Sequence, residues 1–111
     1  FDLTNSFWQI PLEKSSRKFT SFLYENNVFS FTVVPFGLRS STSALLRALN
    51  VIFPLESSAF CIRFVDEFLI FSKNIRDHLQ HIEYVLSIFA SNGLTVKLGK
   101  TQWFRDQVKF L

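Results

Sequence analysis

The most regular patterning in the chain lies at residues 74–91. Ile75, Leu79, Ile82, Val85, Leu86 and Phe89 recur there at steps of three and four, with polar residues between them. That period lines apolar side chains along one face of an α-helix. Asn74 stands where a cap would accept a free backbone N–H, Asp77 suits the first turn, and Gly93 falls just past the end. A second helical period, Ala44, Leu45, Ala48, Leu49 and Ile52, runs through residues 41–53. Ser40, Ser41 or Thr42 supplies its cap, and Pro54 stops it.

Elsewhere the pattern favours strands. Residues 17–24 (RKFTSFLY) and 28–34 (VFSFTVV) are rich in β-formers. Glu25, Asn26 and Asn27 between them predict a hairpin, and Pro35-Phe36-Gly37 breaks the second strand. Residues 59–64 and 68–72 read as two short strands around Val65-Asp66-Glu67. No helix fits between them, so they form an antiparallel hairpin. Residues 1–12 start as a strand and then turn. Residues 94–111 hold two or three short strand-like pieces, ending in Val108-Lys109-Phe110-Leu111. The order β, ββ, α, ββ, α, β lacks regular βα alternation, so the class is α+β. The simplest architecture is one antiparallel sheet with both helices packed on one face. The other face would be open to a partner or substrate.

Composition narrows this picture. A chain of 111 residues suits one compact domain. With 48% apolar and 17% aromatic residues, 15 of them Phe, it has ample core material and is not a disordered sequence. The net charge of +3 is too small to single out a polyanionic partner. Cys61 is the one cysteine, so an internal disulfide is excluded and a reducing compartment is expected. Its apolar surroundings predict a buried structural thiol. No apolar run reaches the roughly 18 residues of a membrane span, and no basic region opens a signal peptide. The expectation is an intracellular protein with no membrane partner. The start without Met and the abrupt ending read as an excerpt of a longer protein.

Chemistry concentrates in the run IRFVDEFLIF, residues 62–71. Two adjacent acids sit inside an apolar stretch, and an unpaired buried carboxylate is costly. A hairpin with Asp66 at its tip ejects both carboxylates while Phe64 and Phe68 stay in the core. A polar turn would suffice for that, but Asp-Glu is not a favoured pair for a two-residue loop. The functional reading is Mg²⁺, which takes hard oxygen ligands and keeps several waters. Two such ions about 3.5–4 Å apart can activate an attacking hydroxyl and hold a leaving pyrophosphate. A further acid must come from another strand, and Asp2 is the candidate.

These residues stand in a familiar order. Asp2-Leu3-x-x-x-Phe7-x-Gln9-Ile10-Pro11-Leu12 is followed by Phe31-Thr32-x-x-Pro35-Phe36-Gly37-Leu38, Phe64-Val65-Asp66-Glu67, Gly93-Leu94 and Lys100. Over nearly its whole length the chain resembles the palm portion of a reverse transcriptase of the gypsy-like LTR-retrotransposon group. The resemblance implies a partial polymerase palm of ferredoxin-like or RRM-like shape spanning 1–111, without fingers, thumb or RNase H. It implies an RNA-directed DNA polymerase that transfers a nucleotidyl group to a primer 3′ hydroxyl with two Mg²⁺ ions, or Mn²⁺ in their place. Asp2 and Asp66 match the metal-binding catalytic acids, with Glu67 a weaker third ligand. Phe7 matches the aromatic residue that excludes a ribose 2′ hydroxyl, and is equally suited to a core role. Pro35, Phe36 and Gly37 match the segment beside nucleotide and template. Arg39 either meets a phosphate or is an exposed residue at a helix start. Lys100 matches a lysine near the nucleotide site, and is also at home on a solvated surface. The implied partners are an RNA or DNA template with primer, deoxynucleoside triphosphates, and the remaining Pol domains: fingers, thumb, RNase H and integrase.

The chain departs from the family pattern at informative places. Tyr-x-Asp-Asp is here Phe64-Val65-Asp66-Glu67, Asn-Ala-Pro is Ser40-Ser41-Thr42, and Asn5-Ser6 replaces Ser-Gly. Glu67 adds a methylene, and displacing a reacting group by ~1 Å can cost on the order of 10²-fold in rate. The alternative reading is therefore a decayed or domesticated, catalytically inactive fold that serves as a binding or scaffold module. His78 and His81, three apart on a helix, have a metal-pair spacing but no evident third ligand in the sequence.

Overall fold

The computed structural model describes residues 1–110. Leu111, the last residue of the expected strand-like ending, lies outside them. Two compact units are distinguished among the described residues: residues 5–48, and residues 1–4 together with 49–110.

The second of these carries the helix with the clearest sequence pattern, α3 (Ile75–Ser91). Its start is fixed by a reciprocal cap. The Asn74 side chain accepts the Asp77 N–H at 2.9 Å and donates to the Asp77 carboxylate at 2.7 Å. Its end is a Schellman turn. Leu94 N–H bonds Phe89 C=O at 2.8 Å, Gly93 N–H bonds Ala90 C=O at 3.2 Å, and Gly93 takes φ +66°. Ile82, Val85 and Phe89 are buried, whereas Ile75 and Leu79 are 61% and 53% exposed. The predicted stripe thus packs only along its C-terminal half. There Phe89 meets Phe53 and Phe68, with ring centroids 5.6 and 5.0 Å away, and Phe53 meets Phe68 at 5.2 Å. These three rings form the heart of the core.

Strands β3 (Cys61–Phe64) and β4 (Glu67–Ile70) form the predicted hairpin. Its turn is Val65-Asp66, so Glu67 opens β4 instead of lying in the loop. The pairing Arg63↔Phe68 and Phe64↔Glu67 puts Phe64 on the opposite face from Phe68. Phe68 is buried, but Phe64 is 52% exposed, which corrects the expectation that both stay in the core. The N-terminal segment adds to β4: Phe1 and Phe68 exchange two hydrogen bonds of 2.8 Å, and Asp2 is bridged to Glu67. On its other side Leu3 is bridged to Val96. The hairpin is thereby extended to an antiparallel array of β3, β4, residues 1–3 and residues 95–97. The expected strands beyond Val96 do not form among the described residues. Lys100 N–H and Thr101 Oγ1 instead both donate to the Lys97 carbonyl, closing a 3₁₀ turn at Leu98–Lys100.

In residues 5–48, β1 (Phe22–Tyr24) and β2 (Asn27–Phe29) form the other predicted hairpin. The strands are shorter than expected at both ends. Residues 14–20 coil into a short helix α1 (Lys14–Arg17) and a 3₁₀ turn. Thr20 and Ser21 hydroxyls donate to carbonyls three residues back, at 2.7 and 2.8 Å, which favours the coil over a strand. After Phe29, residues 32–34 leave β1 and pair with residues 10–12 through Pro11↔Val33. Helix α2 (Ser41–Ile52) follows as predicted, and the Ser41 hydroxyl donates to Pro35 C=O at 2.8 Å.

The class is α+β, with three α-helices among the described residues and two separate two-stranded ladders in place of one continuous sheet. Among those residues no helix is long and apolar enough to cross a membrane.

Candidate active site

Pairing register sets Asp2 beside Glu67 and brings the Asp66 backbone to the residue after Asp2. Phe1 and Phe68 form a hydrogen-bonded pair, so the next pair, Asp2 and Glu67, is the non-bonded kind. In such a pair the Cα atoms approach to about 4.5 Å and both side chains leave the same face. Asp66 joins through its backbone: the amide that follows Asp2, Leu3 N–H, donates to Asp66 C=O at 3.0 Å. One hydrogen bond therefore separates the backbones of Asp2 and Asp66. Val65, before Asp66, takes φ +54°, a conformation a β-branched residue rarely adopts.

Asp2 has a resident cation. Lys97 Nζ lies 3.1 Å from Asp2 Oδ1, and Lys97 N–H donates to Asp2 C=O at 2.8 Å. Cys61, in β3, is buried as expected, and its thiol is pushed up to about 11 by that burial, with the nearby Arg63 opposing the shift. Arg63 braces the strand leading to the turn. Its guanidinium donates to Leu49 C=O at 3.1 Å and lies 5.1 Å from the centre of the Phe53 ring.

Carboxylates are the hard donors that Mg²⁺ takes, and it needs only one or two from protein when water and phosphate supply the rest. Asp2 and Glu67 meet that minimum. Among the described residues no group of three His, Cys, Asp or Glu is gathered closely enough to cage an ion. The residues thus fit a metal held largely by water and substrate. They do not fit a closed protein cage.

Known proteins agree on what this arrangement belongs to. The family described as reverse transcriptase (RNA-dependent DNA polymerase) matches residues 1–111. The chain belongs to the reverse transcriptase family. It is 34% identical over 111 residues to the enzymatic polyprotein of cauliflower mosaic virus (strain D/H), covering all of this chain and 16% of that protein. It is 34% identical over 110 residues to the retrovirus-related Pol polyprotein from transposon gypsy of Drosophila melanogaster, covering 99% of this chain and 11% of that one. Among solved structures, the foamy viral protease-reverse transcriptase in complex with RNA/DNA hybrid superposes with a TM-score of 0.88 at 28% identity. That match covers 99% of this chain and 15% of the other. The chain therefore spans less than a fifth of each of these three proteins.

The remaining predicted site residues fall into two groups. Lys100 is exposed and lines a groove of about 780 Å³ shared with Asp2, Glu67, Phe71, His78 and Trp103. Phe7, Pro35, Phe36, Gly37 and Arg39 lie in the other unit. Phe7 is half-buried, its ring edge-on to Phe36 at 5.2 Å, and Phe36 also meets Trp8 at 5.3 Å. Pro35 is buried. Gly37 has φ +84°, and a Cβ there would meet nothing within 4 Å, so backbone conformation is what calls for glycine. Arg39 is exposed just before α2. The two histidines converge on one hydroxyl: His78 Nδ1 and His81 Nδ1 lie 3.0 and 2.8 Å from Ser72 Oγ. Sequence reasoning missed Lys97, whose pairing depends on a register between residues 95 apart. It also missed Arg63, whose contacts are equally non-local.

Proposed function

We propose that this chain is the catalytic palm of an RNA-directed DNA polymerase within a larger Pol polyprotein. It joins a deoxynucleoside triphosphate to a primer 3′ hydroxyl on an RNA or DNA template. The observation that carries this reading is the register that opposes Asp2 to Glu67 and ties Asp66 to the amide after Asp2. Asp2 and Asp66, with Glu67 in support, would hold divalent metal ions, Mg²⁺ or Mn²⁺. When bound, such ions activate the attacking hydroxyl and stabilise charge on the transferred phosphoryl group. The chain's own task is to hold the carboxylates in place, and the ladder does this through backbone bonds at Phe1, Leu3 and Phe68. Phe7, in contact with Phe36, would bound the sugar pocket, with Pro35 and Gly37 shaping the backbone beside it. Lys100 and Arg39 would meet phosphates. The foamy viral relative is described with RNA/DNA hybrid and with dsDNA, which supports a duplex as the partner.

The test is primer extension by the polyprotein that contains this chain. Asp66→Asn is expected to lower extension by about 10³-fold or more, the loss of several kcal/mol of charge stabilisation. Unchanged extension would remove Asp66 from the metal site and end the proposal.

A non-catalytic scaffold is the second reading. It is favoured by Glu67 in place of Asp and by a Lys97 ammonium already neutralising Asp2. Glu67→Asp separates the two. A large gain in extension means that only carboxylate placement had drifted, whereas no activity in either form supports the scaffold.

A further inference from the structure

Directly opposed like charges destabilise a ladder, yet Asp2 and Glu67 face each other across one. Lys97 eases the conflict by neutralising one of the two, Asp2. Its ammonium sits 3.1 Å from Asp2 Oδ1, and its place is fixed three times over. The Lys97 amide donates to Asp2 C=O, and its carbonyl accepts from Lys100 N–H and Thr101 Oγ1. The backbone therefore cannot drift, while the four-carbon stem stays free to swing. The pair is reachable from solvent, with Asp2 and Lys97 side chains 29% and 34% exposed.

From this geometry we infer that Lys97 is the resident counter-ion of Asp2 and that a divalent cation reaches Asp2 by displacing it. The inference rests on the reading of Asp2 as a metal ligand. A Mg²⁺ ion binds a carboxylate oxygen at about 2.0–2.1 Å. An ammonium left on the same oxygen would then face the ion across a few ångströms of groove. Coulomb repulsion at such range is large, so the ammonium must leave. Lys97 thus sets the affinity of the site from inside the chain. It neutralises Asp2 before the ion arrives and competes with the ion afterwards. The residue acts through Asp2, as a positioning residue.

The experiment is a Mn²⁺ titration at fixed ionic strength, followed by the electron paramagnetic resonance of free Mn²⁺. It needs no nucleic acid and no turnover. Lys97→Gln is expected to tighten Mn²⁺ binding roughly 1.5- to 5-fold, the range of a partly exposed ion pair. Lys73→Gln removes the same charge from the same groove without touching Asp2, and is expected to shift binding less. Thermal melts give a second readout: Lys97→Gln melts lower than the parent without metal and gains more from added Mn²⁺. Lys97→Met, which keeps the alkyl stem, repeats both measurements should the first variant fold poorly. If Asp2→Asn loses Mn²⁺ but Lys97→Gln and Lys97→Met bind it as the parent does, the inference is overturned and the metal reading stands. If Asp2→Asn binds Mn²⁺ as the parent does, the metal reading falls and the inference falls with it.

Discussion

The two hairpins turn in the same number of residues but are held by different means. In β1–β2 the turn is Glu25-Asn26, with φ of +46° and +62°, the signs of a type I′ turn. Asn tolerates that region, and this conformation matches the twist of the strands. Every residue of both strands is exposed. This hairpin is held by its turn and by aromatic pairs such as Phe22 with Phe29, 5.8 Å apart. In β3–β4 the turn carries Val65 at φ +54°, where glycine would be at ease. Cys61 and Phe68 are buried, and β4 is bonded on its far side to the N-terminal segment. Strong packing here holds a strained turn. Strain persists only where the surroundings over-determine it, and such places tend to be functional. The difference teaches that the Val65-Asp66 turn, with a β-branched residue at positive φ, is imposed by its anchors, whereas the Glu25-Asn26 turn is favoured at Asn26 and bears its backbone cost at Glu25 alone.

The largest effect should come from removing an anchor. Phe68→Ala is expected to cost about 3–5 kcal/mol in urea unfolding, since it empties the Phe53–Phe68–Phe89 cluster. Phe22→Ala, on a half-exposed ring, should cost under about 1 kcal/mol. Equal costs would break the comparison. Next comes alkaline sensitivity at Cys61. Its folded thiol holds its proton to about 11, against an ordinary value of 9.0, because burial disfavours the thiolate. The folded state then binds more protons than the unfolded state between those values, so the contribution is full below pH 9 and lost as pH rises through about 11. Thermal melts between pH 8 and 11 should show this decline, and Cys61→Val should flatten it. A smaller effect tests the strain. Val65→Gly relieves about 1–2 kcal/mol of backbone cost and adds about 0.5–1 kcal/mol of glycine entropy. The expected net is a gain of roughly 0.5–1 kcal/mol in thermal melts. Smallest is Asn26→Gly, a change of a few tenths of a kcal/mol, because Asn already fits its turn. A larger gain there than at Val65 would reverse the assignment of strain.

Local signals in the sequence were faithful where local physics decides. The cap at Asn74, the stop at Gly93 and both hairpins follow from residues within a few positions of one another. The same holds for the end of α2 before Pro54. What escaped depends on partners distant in the chain. Phe64 looks like core until register assigns it to the face of Glu67. Residues 17–20 carry β-formers, yet Thr20 and Ser21 hydroxyls turn them into coil. The candidate acids were legible as residue types and by family resemblance. Their meeting required the pairing of residues 2 and 67, and Lys97 required a further pairing that no short motif announces.

That pairing has a kinetic side. Asp2 reaches Glu67 and Lys97 only after two very long loops have closed, and the entropy of such closures must be met before the contacts reward it. The acidic seam should be among the last parts of the chain to assemble during synthesis. A nascent or half-folded copy would then lack the Asp2–Glu67–Lys97 cluster, and its closure would report that the fold is finished.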